Sequence, residues 1–201
     1  MKDTEDLQND LYEEMKSRYK KNDESLPYFF NQYWYIVRYE EGKEYPIFSR
    51  KHLTLDNPEE ILIDANILAE GQSFFEIASL AVSPDNKTLA FSYDNVGRRI
   101  YNIYFKNLET LEISTDFIEN NTGKAVWSAD NKHVFYVVKD ENLRPYKIFR
   151  HELGTKNDTL VYHEEDDTFD ISLFKSKSLE YIFIASSSTN EDEQRFIPAN
   201  D

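Results

Sequence analysis

Leu80-Ala-Val-Ser-Pro-Asp-Asn-Lys-Thr-Leu-Ala-Phe-Ser-Tyr93 decides the fold. Leu80 and Val82 alternate into the turn Ser83-Pro-Asp-Asn-Lys87, and Leu89, Phe91 and Tyr93 alternate out of it. Period-two alternation around a Pro-Asp-Asn turn predicts a β-hairpin. Pro84 pre-sets φ, and Asp85 and Asn86 can bond back to the local backbone.

The hairpin recurs. Ala125-Val-Trp-Ser-Ala-Asp-Asn-Lys-His-Val-Phe-Tyr136 repeats it with Ser128 in the place of Ser83, 45 residues on. A weaker copy, Leu173 to Ile184, puts Lys175 at that place, 47 residues further. A second motif keeps step. Arg99-Ile-Tyr-Asn-Ile-Tyr returns as Arg144-Pro-Tyr-Lys-Ile-Phe, with Ile103 and Ile148 also 45 apart. It is foreshadowed by Lys43-Glu-Tyr-Pro-Ile-Phe, where a 56-residue step from Ile47 to Ile103 implies an insertion near 56–72. Two motifs in phase at this period predict propeller blades of four strands each.

The expected fold is all-β, a partial β-propeller of three to four antiparallel blades behind one N-terminal helix. Residues 1–23 form the helical segment, with Leu7, Leu11, Met15 and Tyr19 as one apolar stripe suited to docking on further protein. Residues 24–201 form the propeller, with blades near 24–73, 74–120, 121–165 and a truncated 166–201. The second blade takes strands at 75–82, 88–93, 100–107 and 111–115. The third takes 125–128, 133–138, 146–153 and 159–162. The last should stop within its third strand.

Composition narrows the function classes. A net charge of −15 argues against nucleic acid, whose phosphates need Lys and Arg. The absence of cysteine removes disulfides, thiolate metal sites and cysteine nucleophiles. No stretch is apolar enough to span a membrane, and no basic-then-apolar leader is present, so a cytoplasmic location is expected.

The search for chemistry returns little. Gly71-Gln-Ser73 is the nearest approach to a Gly-x-Ser-x-Gly elbow, and Phe75 stands at its fifth position. His52, His133, His151 and His163 are not at helical ligand spacing and are expected in strands or at their ends, in structural roles. Glu164-Glu-Asp-Asp167 lacks the alternation and glycine of a calcium loop. Arg98 or Arg99 could grip a carboxylate, with structural pairing expected because Arg144 is the repeat mate of Arg99. No catalytic, cofactor-binding or metal-ligating residue is assigned, and no cofactor is expected.

One resemblance goes further. Val37-Arg-Tyr-Glu-Glu-Gly-Lys-Glu-Tyr-Pro-Ile-Phe-Ser-Arg-Lys51 resembles the first blade of the oligopeptidase B (protease II) group, serine peptidases of the prolyl oligopeptidase family. Val82-Ser-Pro-Asp, Asp94-Asn-Val-Gly-Arg-Arg-Ile-Tyr, Arg150-His-Glu-Leu-Gly-Thr and Asp166-Asp-Thr-Phe are similar to it as well. The resemblance implies a larger parent, in which a seven-bladed propeller covers an α/β-hydrolase domain with a Ser-Asp-His triad. That parent cleaves oligopeptides after Arg or Lys. It implies two partners for this chain, the absent hydrolase domain with the remaining blades, and basic oligopeptides. No triad residue matches any position here, so the chain alone is expected to be inactive. The alternative is a free-standing propeller-like binding module that self-assembles. On either reading self-association is expected through two bare faces, an early one at Tyr33, Trp34, Tyr35, Ile36 and Val37 and a late one at Phe169, Ile171, Tyr181, Ile182, Phe183 and Ile184.

Overall fold

The computed structural model describes residues 4–200. Contacts divide the chain into two units, one ending at Glu70 and the other beginning at Gly71.

The first unit opens with helix α1 (Glu5–Ser17). Acidic Glu5 and Asp6 in its first turn and Lys16 in its last suit the helix dipole. Leu7, Leu11 and Met15 lie exposed along it; Tyr19 falls beyond the helix end, so the stripe is one residue shorter than the sequence spacing suggests. Met1 to Asp3 lie outside the described residues. Five strands follow: β1 (Asp23–Glu24), β2 (Tyr28–Phe30), β3 (Tyr33–Tyr39), β4 (Ile47–His52) and β5 (Glu59–Asp64). They form one antiparallel sheet in the order β1-β3-β4-β5, with β2 also on β3. The β2–β3 hairpin was not expected. Its turn is Asn31-Gln32, both at positive φ (46° and 71°), the signature of a type I′ turn without the usual glycine. The insertion is β5 followed by a short helix, α2 (Ala65–Leu68), capped by the Asp64 carboxylate on the Asn66 N–H.

The second unit carries two antiparallel sheets. The larger runs in sequence order through β6 (Glu76–Val82), β7 (Thr88–Asp94), β8 (Tyr101–Asn107), β9 (Ile113–Trp127), β10 (His133–Lys139), β11 (Pro145–Glu152) and β12 (Asp158–His163). The smaller is β13 (Asp170–Lys175), β14 (Tyr181–Ser187) and β15 (Asp192–Pro198). The expected strands at 111–115 and 125–128 prove to be the two ends of β9. Its first half pairs with β8 and its second with β10, so two four-strand meanders share one chain crossing. Gly123 makes that crossing possible. Its φ is 88°, and a Cβ there would stand 2.8 Å from the Ala78 Cβ. Only glycine meets both demands.

Alternation places the cores. Ala90, Ile103, Phe105 and Ile118 of the first meander meet Ala125, Trp127, Val134 and Tyr136 of the second. The opposite face of the second meander, Val126, Phe135, Val137 and Ile148, meets Ile171, Leu173, Ile182, Ile184 and Ala199 of the third sheet. Successive sheets of this unit therefore stack face to face, as propeller blades do. The isoleucines of the second motif, Ile47, Ile103 and Ile148, are all buried.

The turns share a register. Asn86, Asn131 and Leu179 take φ of 64°, 64° and 66° at one place in three hairpins. The preceding N–H groups of Ser83, Ser128 and Ser176 donate to the Thr88, His133 and Tyr181 carbonyls at 2.8–2.9 Å. The third turn thus begins at Ser176, not Lys175, a correction of one residue.

Candidate functional site

The late face is partly open, with Phe174, Tyr181 and Phe196 exposed, and strand alternation corrects its make-up. Ile171, Ile182 and Ile184 point into the core. On the other side, Phe174, Phe183 and Phe196 stand directly opposite one another across β13, β14 and β15. Phe174 stacks on Phe183 at 5.2 Å, Phe183 meets Phe196 at 5.9 Å, and Tyr181 stands edge-on to Phe196 at 5.3 Å. Phe196 is 61% exposed. Among the described residues β15 pairs only with β14, so its outer edge is bare. In the first unit the early face also sorts by burial. Tyr35 and Ile36 are buried, whereas Tyr28, Phe29 and Phe30 of the β2 edge are exposed, with Tyr28 stacked on Tyr35 at 5.2 Å.

A polar cluster crosses the seam between the two meanders. His151 on β11 is only 3% exposed. Its Nδ1 lies 2.6 Å from Asp158 Oδ1 on β12, and its Nε2 3.1 Å from Asp116 Oδ2 on β9. The Gly154 N–H donates to Asp116 Oδ2 at 2.7 Å, and the Tyr136 hydroxyl to Asp158 Oδ2 at 2.8 Å. Burial first, and then the bond to Asp158, push the Tyr136 phenol up. Phe105 lies flat on the imidazole at 5.8 Å. Beside the cluster is a cavity of about 350 Å³ with Phe105, Ile113 and Leu153 as apolar lining and Glu112 and Asp116 as its carboxylates. Asp158 and Asp116 stand at opposite edges of the His151 ring and do not converge on a common point, the wrong arrangement for a metal.

The other residues singled out from sequence have local partners. His133 sits 2.6 Å from Asp130, His52 packs on Tyr33, and His163 meets Tyr146 edge-on. Arg144 donates to Asp140 Oδ2 (3.2 Å) and to the Asp166 and Phe169 carbonyls (2.9 and 3.0 Å). Arg98 and Arg99 are exposed and form no ion pair among the described residues. The carboxylate near them, Asp94, is held instead by the N–H groups of Val96, Gly97 and Arg99 at 2.7–2.9 Å. Burial pushes Asp94 up, and these bonds outweigh it and hold the carboxyl below the usual carboxylate value. Glu164 of the acidic run accepts from the Tyr162 and Ser186 hydroxyls at 2.7 and 3.0 Å, binding β12 to the third sheet. The His151 cluster was invisible in the sequence, because Asp116 lies 35 residues from the ring it contacts.

A family model described as the prolyl oligopeptidase N-terminal beta-propeller domain matches residues 1–201. The chain belongs to that family. It is 37% identical to dipeptidyl aminopeptidase BI of Pseudoxanthomonas mexicana over 96% of its length, and 32% identical to protease 2 of Moraxella lacunata over 98%. It spans only 29% and 30% of those curated relatives. Oligopeptidase B of Leishmania major superposes with a TM-score of 0.93 at 31% identity, over 99% of this chain and 29% of that one. Oligopeptidase B of Trypanosoma brucei, in a closed form with covalently bound antipain, gives 0.90 at 28% identity, over 98% and 28%.

Proposed function

We propose that residues 1–201 are the substrate-gating propeller segment of an oligopeptidase B-like serine peptidase that hydrolyses oligopeptides after Arg or Lys. The observation that carries this reading is the near-complete superposition on oligopeptidase B over under a third of that enzyme's length. On this reading the serine, its base and the basic-side-chain pocket lie on chain outside these residues. The hydrolase domain and further blades are the partners of this segment, and the location is cytoplasmic. The −15 charge helps draw basic peptides to the parent. Separated from its parent, the segment self-associates through the Phe174–Phe183–Phe196 face and the bare β15 edge.

The test separates part from whole. The longer protein should label with a serine-directed fluorophosphonate and cleave peptides after Arg or Lys, while purified residues 1–201 do neither. Labelling and turnover that track the short polypeptide would refute the reading. Analytical ultracentrifugation of the short chain addresses the face. A compact monomer at high concentration that binds no hydrophobic dye would show that face to be covered from within.

A further inference from the structure

The Tyr136, Asp158, His151 and Asp116 chain has no part in the turns or the open aromatic face. It joins two meanders that also meet through an apolar core, through Trp127 Nε1 on the Ala81 carbonyl and through the Asp85 N–H on Asn131 Oδ1. Asp116 sits in the first half of β9, which completes the first meander, whereas His151 and Asp158 belong to the second.

The hydrogen bonds have a protonation requirement. An ionised carboxylate only accepts, and a neutral imidazole donates from one nitrogen alone. With a carboxylate oxygen at 2.6 Å from Nδ1 and another at 3.1 Å from Nε2, both bonds form only when both nitrogens carry protons. The surroundings offer no substitute. From β8 the ring meets Phe105, which has no proton to give. From β10 the Tyr136 hydroxyl is spent on Asp158. From the loop after β11 the Gly154 N–H is spent on Asp116. The adjoining cavity adds one further carboxylate, Glu112, and its lining has no Lys or Arg. A neutral ring, itself buried, would turn a lone pair toward one of its two carboxylates, which is repulsive.

We propose that His151 is a proton-operated latch between the two meanders. Charged, it ties β11 and β12 to β9 and keeps the Gly154 loop on Asp116. Loss of the proton breaks one of the two bonds and frees that loop and the wall of the cavity. The sign follows from the geometry: the doubly bonded arrangement exists only while both ring nitrogens carry protons, so it is present at low pH and lost when raising the pH removes one of them.

Hydrogen–deuterium exchange with peptide-level readout, corrected for the intrinsic pH dependence of exchange, tests this on the natural full-length protein. Between about pH 6 and about pH 8, the range over which histidine charge changes, peptides covering 113–118 and 150–158 should lose about ten-fold in protection, the scale of one hydrogen bond to a charged group. Peptides of the 170–187 hairpin should not change. His151→Gln should abolish the pH dependence at the seam while leaving the hairpin alone. Asp116→Asn, which removes one carboxylate and keeps its shape, serves if the first variant does not fold and should shrink the same response. Seam protection that is flat with pH in the natural protein, or that still falls in either variant, overturns the proposal.

Discussion

Phe135 and Phe183 occupy the same place in successive sheets. Each lies on a second strand, one residue after an apolar partner, Val134 or Ile182, that faces the preceding sheet. Phe135 is 1% exposed because the third sheet covers it. Phe183 meets Phe174 and Phe196 on its outward side, and no further sheet stacks there among the described residues. The turns change in the same direction. Asp85 and Asp130 each accept a backbone N–H in the first two hairpins, where the third has Ser178. Asp94 and Asp140 organise the next turns, where the third sheet uses Ser188. A blade's hydrogen-bonded frame forms from its own residues, but the worth of its outward face depends on what stacks there.

The comparison can be broken most directly at the two phenylalanines. Phe135→Ala should cost about 3–5 kcal/mol, the usual range for a buried aromatic, measured by chemical denaturation. Phe183→Ala should cost less in residues 1–201, about 1–2 kcal/mol, because Phe183 is only partly buried there. In the longer protein, if a further sheet covers the face, the two costs should converge. Equal costs in the short chain would show the faces to be alike.

Gly123→Ala comes next. Positive φ adds about 1–2 kcal/mol, and crowding against Ala78 about 1–3 kcal/mol. Thermal unfolding should show this loss, and hydrogen exchange should place it at the crossing between meanders and leave the third sheet unaffected.

Acid should sharpen the contrast. Asp94 and Asp130 lie below the ordinary carboxylate value because hydrogen bonds outweigh the burial that pushes them up, and Asp140 because the Arg144 N–H leads its set of donors. Depressed carboxylates stabilise above the unfolded titration range, and that stability is lost as pH falls through the folded one. Acid unfolding should therefore begin in the meanders of residues 76–163, ahead of the serine turns of the third sheet. Asp94→Asn should cost about 1–3 kcal/mol near neutrality, with the gap from the parent narrowing as pH falls.

The smallest expected effect is a gain. Leu179 holds φ of 66°, where the other two hairpins have asparagine. Leu179→Asn should stabilise by about 1 kcal/mol, since asparagine tolerates this region and leucine is strained there, and a rise in melting temperature would register it.

The hairpins were legible because Asp85 with Asn86, and Asp130 with Asn131, write the turn into the sequence. The third copy was set one residue off because Ser178 and Leu179 erase that signal while the backbone keeps it. Asn31-Gln32 hid the β2–β3 hairpin because neither residue announces a positive φ as glycine does. Strand alternation was read correctly within each hairpin. It was lost at the late face, where consecutive residues 181–184 were assigned to one side. The His151 cluster could not be read at all. Its members are ordinary strand residues until the sheet order sets Asp158 beside His151 and the stacking of meanders brings up Asp116.

The residue just before the hairpin turn does a second job in the later sheets. Trp127 Nε1 donates to the Ala81 carbonyl at 2.8 Å, and Lys175 Nζ donates to the Trp127 carbonyl at 2.9 Å. Each link runs from a later sheet to the equivalent stretch of the one before. For these two links a nascent chain leaving the ribosome meets the acceptor already in place, whereas the Arg144 side chain must wait for the Asp166 and Phe169 carbonyls that follow it. The aromatic side of the third sheet has no such link and stays wet among the described residues. Clear of the ribosome, Phe174, Phe183 and Phe196 would be open to chaperones for as long as nothing stacks on that side.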